Sequence, residues 1–338
     1  MITLDGSMGE GGEQILRTSL ALSIITGEPF RITHIRANRD KPGLQRQHLT
    51  AVRAAAEISG ATLSGDAVNS STLEFRPGTV RAGNYQFAIG TAGSTTLVFQ
   101  TVLPPLLRAE GVSTLFLEGG THNEHAPPYD YLTDTFLPLI ARMGADVRTE
   151  LVCPGFYPAG GGKWSATVAP TGKLEPLEIL ERGEITRQVG TAVTAALPGG
   201  IARRELERLA NRLKWPAECF VQKQAEHTCS PGNYVLVQLT SRHLTETFSA
   251  IGRRGVTAEQ VADAAVDQVR AYLASDAPVG ECLADQLLLP LALAGGGRYR
   301  TATLTNHTHT NIEVIQQFLP VAIRTSPAED GTFLVEIG

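Results

Sequence analysis

The residues best suited to chemistry lie near the C-terminus, where Thr305 to Ile312 reads TNHTHTNI and sets two imidazoles, His307 and His309, in a short polar run between apolar segments. A neutral imidazole nitrogen is nucleophilic near neutral pH and can take up a phosphoryl or nucleotidyl group as a labile phosphoramidate. A separation of two puts both rings on one face if the run is extended. Histidines more often serve as surface or hydrogen-bonded structural residues, so this run gains weight only from its company.

Part of that company is N-terminal. Glu10 sits in a glycine stretch and Arg17 follows two helical turns later. A carboxylate on a Gly-rich turn that opens a helix could hold a divalent ion while the helix N-terminus faces phosphate, although a plain loop fits as well. The stretch matches neither a Walker A motif nor a GxGxxG fingerprint. A denser group follows: Arg36, Arg39, Lys41, Arg46, Gln47 and His48. Guanidinium forks suit phosphate oxygens, and a solvated charged face is the competing reading. Ala126-Pro127-Pro128 introduces a helix, where proline is well placed, and could offer a base a flat apolar wall. GFYPAGGG, residues 155–162, reads as a backbone-shaping turn. Asp285 and Gln286 interrupt the apolar helix LADQLLLPLALA. Polar groups there need partners, and a reactive imidazole or a nucleotide is a candidate.

The elements that must position these groups follow from pattern. Ile2 to Leu4 is a strand, and an apolar helix carrying Ile15, Leu16, Ser19 and Leu20 runs on to Gly27. After the strand PFRITHIRA comes a helix with Leu49, Val52, Ala56 and Ile58, stopped by Gly60; ATLSG and STLEFRPG are two further strands. This order returns from Tyr85 onward. A third copy starts near GGGKWSATVAP and resumes at ECLADQLLLPLALAGGG. The gap implies an insert, so the expected division is 1–183 with 276–338 as a large domain and 184–275 as a small α/β domain. The insert shows no constellation of reactive groups; support, substrate contact or dimerisation are its expected roles.

Composition bounds the rest. With 42% hydrophobic and 19% charged residues the 338-residue chain can bury a substantial core, and at roughly two domains its length agrees with the division above. The net charge of −5 excludes an overall field for nucleic acid, leaving a local cluster as the only route to a polyanion. Cys153, Cys219, Cys229 and Cys282 form no CxxC pair, which argues against a thiolate zinc site and suits a reducing cytoplasm. The opening MITLDGSMGEGGEQ has no basic, then apolar, leader pattern, and no apolar run reaches bilayer length; we expect a cytoplasmic protein without a membrane partner.

Taken together, GEGGEQILR (9–17), IRANRDKPGLQRQHL (35–49), FAIGTAGSTTLV (87–98), GGTHNEHAPPYD (119–130), GFYPAGGG (155–162), GECLADQL (280–287) and HTHTNIEVIQQFLP (307–320) resemble the RNA 3'-terminal phosphate cyclase family along the whole chain. The resemblance implies an α/β (α+β) fold of three βαβαββ repeats with a small α/β domain inserted in the third. It implies ATP and a divalent metal, Mg2+ or Mn2+, acting on RNA with a 3'-terminal phosphate to give a 2',3'-cyclic phosphate. The implied path runs through histidine-AMP and then an RNA-adenylate anhydride, which the 2'-OH opens. His307 is the implied nucleophile, three residues before the Thr310-Asn311-Ile312 of the family pattern; His309 stands where an apolar residue is expected. Glu10 is implied as the metal carboxylate; Arg17, Arg36, Arg39 and Gln47 as phosphate contacts; Asp285 and Gln286 as neighbours of the histidine and nucleotide; Pro127 as packing on adenine. Bacterial relatives tend to carry Tyr at the position of Cys282, so this chain departs from them opposite the base. Two alternatives stay open: a catalytically silent relative that binds RNA or a ribosome-assembly partner, and a small-molecule transferase on a related repeat fold. The oligomeric state is also open, with a homodimer among the options.

Overall fold

A computed structural model describes residues 1–9, 13–124 and 126–338. The chain opens with β1 (Ile2–Asp5), α1 (Glu13–Thr26), β2 (Phe30–Thr33), α2 (Arg46–Ser59), β3 (Thr62–Ser64) and β4 (Leu73–Arg76). β1 pairs parallel with β2, β2 antiparallel with β4, and β4 antiparallel with β3. α1 is buried at Ile15, Leu16 and from Thr18 to Ile24, as a helix between other layers must be, with Arg17 the half-buried exception. α2 is amphipathic, burying Leu49, Val52, Ala55 and Ile58, and Gly60 closes it in the left-handed region that glycine tolerates.

The same order recurs in β5 (Asn84–Ala88), α3 (Thr95–Leu106), β6 (Ser113–Gly119), a helical stretch made of α4 (Tyr129–Tyr131), a π segment (Leu132–Phe136) and α5 (Leu137–Arg142), then β7 (Val147–Cys153) and β8 (Gly162–Val168). Its sheet runs β5-β6-β8-β7, the counterpart of β1-β2-β4-β3. The chain then lays down β9 (Leu177–Ile179) and departs into β10 (Ile185–Ala195), α6 (Gly200–Leu213), β11 (Phe220–Ala225), β12 (Gly232–Ser241), β13 (Thr245–Ile251) and α7 (Ala258–Leu273). It returns with α8 (Glu281–Ala294), β14 (Gly297–Thr301), α9 (Asn306–Phe318), β15 (Ile323–Pro327) and β16 (Phe333–Ile337). The third sheet, β9-β14-β16-β15, repeats the order once more.

The three sheets and their helices share one continuous core, in which Leu20, Phe30, Phe99, Trp164, Leu287 and Tyr299 are fully buried. Segment 185–273 has a sheet of its own, β11-β10-β12-β13, and a separate core where Val235 and Val237 meet Val266 and Val269.

One expectation changes, and one conditional reading is decided. GGGKWSATVAP does not open the third copy: Gly162–Val168 is the last strand of the second, paired antiparallel with β6 and β7. The third copy opens instead at β9, only three residues long and too short to show alternation. The HTHT run is helical rather than extended. Thr305 caps α9 by accepting the Thr308 N–H at 3.2 Å, and His307 and His309 lie in the first turn on different faces, His307 half-buried and His309 exposed.

Among the described residues no helix is long and apolar enough to cross a membrane.

Candidate active site

α1 packs against α9, and α9 against α8, so that the first turns of α9 face the middle of α1 and the start of α8. Gly9, with φ +57, lies against Thr310 so closely that a Cβ could not be accommodated, which places Gly9 on the start of the helix bearing His307. Glu10 itself lies outside the described residues.

The interior of the cleft is polar and ordered by hydrogen bonds. Thr18 donates to Asn311 Oδ1 at 2.7 Å; Asn311 Nδ2 donates to Asp285 Oδ1 at 3.0 Å and to its carbonyl at 3.1 Å. Desolvation of the half-buried Asp285 pushes its pKa up to about 6 against the charges of His307 and Arg17 and the bond from Asn311, all of which favour the carboxylate. Arg17 is largely buried and donates to Gln14 Oε1 at 2.6 Å; burial lowers its pKa, and the charges of Glu13 and Asp285 act in the opposite direction. Gln286 accepts from Gln100 of α3 at 3.0 Å. Gln14, Arg17, Thr18, Gln100, Asp285, Gln286 and Asn311 thus wall one small cleft of about 50 Å³, closed on its apolar side by Leu103, Phe136 and Leu289.

A second polar knot joins α1 to α2. Glu13 Oε1 is 2.6 Å from His48 Nε2 and 3.5 Å from Arg36 Nε; its Oε2 accepts from Gln47 Nε2 at 3.1 Å and lies 3.5 Å from Arg17 Nη1. Burial would raise the Glu13 pKa, but the close approach and charge of His48 with the charges of Arg17 and Arg36 outweigh it and hold it down at about 2. The His48 ring is oriented by the Gln45 N–H, which donates to Nδ1 at 2.9 Å and leaves Nε2 to carry a proton toward Glu13. Gln47 reaches onward, its Oε1 accepting the Ser94 N–H at 2.6 Å at the start of α3. Two residues later Thr96 donates to the carbonyl of Pro127 at 2.7 Å.

The expected residues therefore divide. Arg17, Asp285 and Gln286 line one cleft, the charge of His307 reaches Asp285 from the first turn of α9, and Arg36 and Gln47 join Arg17 through Glu13. Pro127 sits beyond Gln47, above the start of α3. Arg39 lies exposed on the loop of Arg36, to whose carbonyl its N–H donates at 3.1 Å. Cys282, also exposed, is on α8 one turn before Asp285 and Gln286, the spacing that shares a helix face. Among the described residues no group of three His, Cys, Asp or Glu side chains could hold a metal ion, so no metal fit rests on them.

Sequence reasoning missed Glu13, Gln100 and Asn311. Only Glu13 carried a signal, the four-residue spacing to Arg17. It also missed a buried histidine nearby in sequence: His122 Nδ1 lies 2.8 Å from Thr121 Oγ1 and Nε2 2.7 Å from Asp130 Oδ2, and the ring stacks on Tyr234 of β12 at 4.1 Å.

Residues 8–325 match the family model described as RNA 3'-terminal phosphate cyclase. The chain belongs to the RNA 3'-terminal phosphate cyclase family. It is 51% identical over 336 residues to the RNA 3'-terminal phosphate cyclase of Ectopseudomonas mendocina (strain ymp), covering 99% of this chain and 98% of the relative. Identity to the cyclase of Koribacter versatilis (strain Ellin345) is 51% over 330 residues, covering 98% and 93%. For Salmonella enteritidis PT4 it is 49% over 337 residues, covering 100% and 98%. Among solved structures, the enolpyruvyl transferase NikO from Streptomyces tendae overlays at TM-score 0.38 and 12% identity, over 99% of this chain and 48% of that one, a likeness too slight to bear on function.

Proposed function

We propose that this member of the cyclase family is an enzyme that converts an RNA 3'-terminal phosphate to a 2',3'-cyclic phosphate with ATP, through adenylylation of His307. The observation that carries the mechanism is the charge of His307, on the first turn of α9, acting together with that of Arg17 on the Asp285 carboxyl.

In this reading an imidazole nitrogen of His307 attacks the α-phosphorus of ATP, the bond to the bridging oxygen breaks, and pyrophosphate leaves. The ring becomes positive as it reacts, and the Asp285 carboxylate beside it stabilises that charge. Arg17, with Arg36, Arg39 and Gln47, receives the phosphate oxygens, and the N-terminus of α9 favours the same negative charge. An oxygen of the RNA 3'-phosphate then takes AMP from the histidine. The 2'-OH closes on the activated phosphorus, AMP departs with the bridging oxygen, and the cyclic ester remains. Pro127 packs on the base, with Cys282 and Gln286 along its other side. A divalent metal would screen the phosphates, with Glu10 as its implied ligand.

The halves 1–183 with 276–338 and 184–275 act as large and small domains in this reading, the smaller supporting α8 through Glu246. A cytoplasmic setting suits the free cysteines.

Incubation with ATP, Mg2+ and a 3'-phosphorylated oligoribonucleotide tests the proposal. Conversion of the end to a phosphatase-resistant cyclic ester, lost in Arg17→Ala, is expected. An unchanged 3'-phosphate with folded protein would favour the silent, RNA-binding alternative.

A further inference from the structure

We infer that the Glu13 carboxylate is an internal competitor for the phosphate seat, occupying it between turnovers and setting how strongly an anion must bind to enter. The inference rests on the phosphate-contact roles proposed above for Arg17, Arg36 and Gln47.

Those three residues come from different parts of the chain, yet all turn toward one acidic side chain of the protein itself. With His48 they surround the two oxygens of Glu13, a carboxylate that stays ionised throughout the physiological range. A carboxylate is a smaller and less charged acceptor than a phosphate, and the fit records this. Both guanidiniums stand at 3.5 Å rather than at charge-assisted hydrogen-bond distance. Arg36 Nε is buried and has no hydrogen-bond partner among the described residues, and His48 Nε2, close as it is, lacks hydrogen-bond geometry to the carboxylate. A buried donor left in that state costs free energy, which a larger tetrahedral oxyanion would recover by reaching several donors at once.

Two roles for Glu13 make opposite predictions. As a scaffold, it holds the guanidiniums in place for the ligand, and removing its charge weakens anion binding. As a competitor, it must give way, and removing its charge strengthens binding. The under-satisfied donors favour the second, because a scaffold would leave the ligand's donors already aligned on normal bonds. The competitor also sharpens selection: a singly charged anion gains little by displacing a carboxylate, whereas a phosphate carrying two charges gains more.

The test is equilibrium binding of inorganic pyrophosphate, by calorimetry in metal-free buffer at low and moderate salt, to wild type, Glu13→Gln, Glu13→Ala, Arg17→Ala and Arg36→Ala. Glu13→Gln preserves shape and removes charge; Glu13→Ala guards against an amide that holds the donors as the carboxylate does, and thermal melts establish that each variant is folded. The expected result is binding about tenfold or more tighter in both Glu13 variants, equivalent to about 1.4 kcal/mol, with the gain shrinking as salt rises. Equal or weaker binding in both Glu13 variants, with binding lost in the arginine variants, would overturn the competitor and leave the phosphate seat standing. Binding insensitive to Arg17→Ala and Arg36→Ala would remove the phosphate seat itself, and the inference with it.

Discussion

Glu246 offers a quantitative test of how segment 185–273 holds α8. It lies on β13, fully buried, and its Oε1 accepts the N–H of Gly280, the cap of α8, at 2.6 Å. A Cβ on Gly280 would stand 2.9 Å from that oxygen, so the contact requires glycine. Burial drives the Glu246 pKa from 4.5 up to about 8, only partly opposed by the Gly280 bond. Between those values the unfolded chain releases this proton and the folded chain keeps it. Folding therefore binds a proton across the window, and the Glu246 contribution to stability, full below pH 4.5, is lost as pH rises toward 8. At about 1.4 kcal/mol per pH unit, the loss between pH 5.5 and 8 is about 3 kcal/mol. Glu246→Gln keeps an acceptor for Gly280 and cannot ionise, so the variant lacks this slope. Urea unfolding of both proteins at pH 5.5 and 8 checks it, because other titrating groups cancel in the difference. The variant should gain about 3 kcal/mol on the wild type between the two pH values. A difference between variant and wild type that is the same at both pH values would refute the reasoning.

Other consequences concern the cleft. The Asp285 carboxyl, with its pKa raised to about 6, should protonate below that value and cease to stabilise the charged His307 ring. Wild-type self-adenylylation should fall as pH drops through about 6, and Asp285→Asn should be slower by about 100-fold at neutral pH and lack that inflection; a retained inflection in stopped-time labelling would assign it elsewhere. Gly9→Ala should cut activity at least about tenfold, through a positive φ costing roughly 1 kcal/mol and through collision with Thr310. The double variant Gly9→Ala, Thr310→Ala should recover part of the loss in the same assay, whereas strict additivity would deny the contact.

Most of the repeat pattern was legible because the helices are long enough to show periodicity: α1, α2 and α8 are each 14 residues. What escaped were short or edge elements. β9 has three residues and pairs with β14, far away in sequence. The turn between β7 and β8 read as a boundary because GFYPAGGG is rich in glycine, yet Phe156 packs inward while Gly160 accepts a close approach to Thr91 and Ala92. The helical start at Asn306 was hidden because three threonines with two histidines in six residues favour no helix by propensity; the Thr305 cap and the packing of Val314 and Ile315 determine it. In the cleft, charged residues announced themselves by type, whereas Asn311 and Gln100 did not. Their roles depend on partners 26 and 186 positions away, which no local pattern reports.

The most direct test of the central claim is incubation with α-labelled ATP and Mg2+, without RNA, of wild type, His307→Ala and His309→Ala. The first turn of α9 points the two rings to different sides, and only His307 acts on Asp285. Acid-labile, alkali-stable label should appear on the wild type and on His309→Ala and vanish from His307→Ala. Label that vanishes from His309→Ala and persists in His307→Ala would contradict the account.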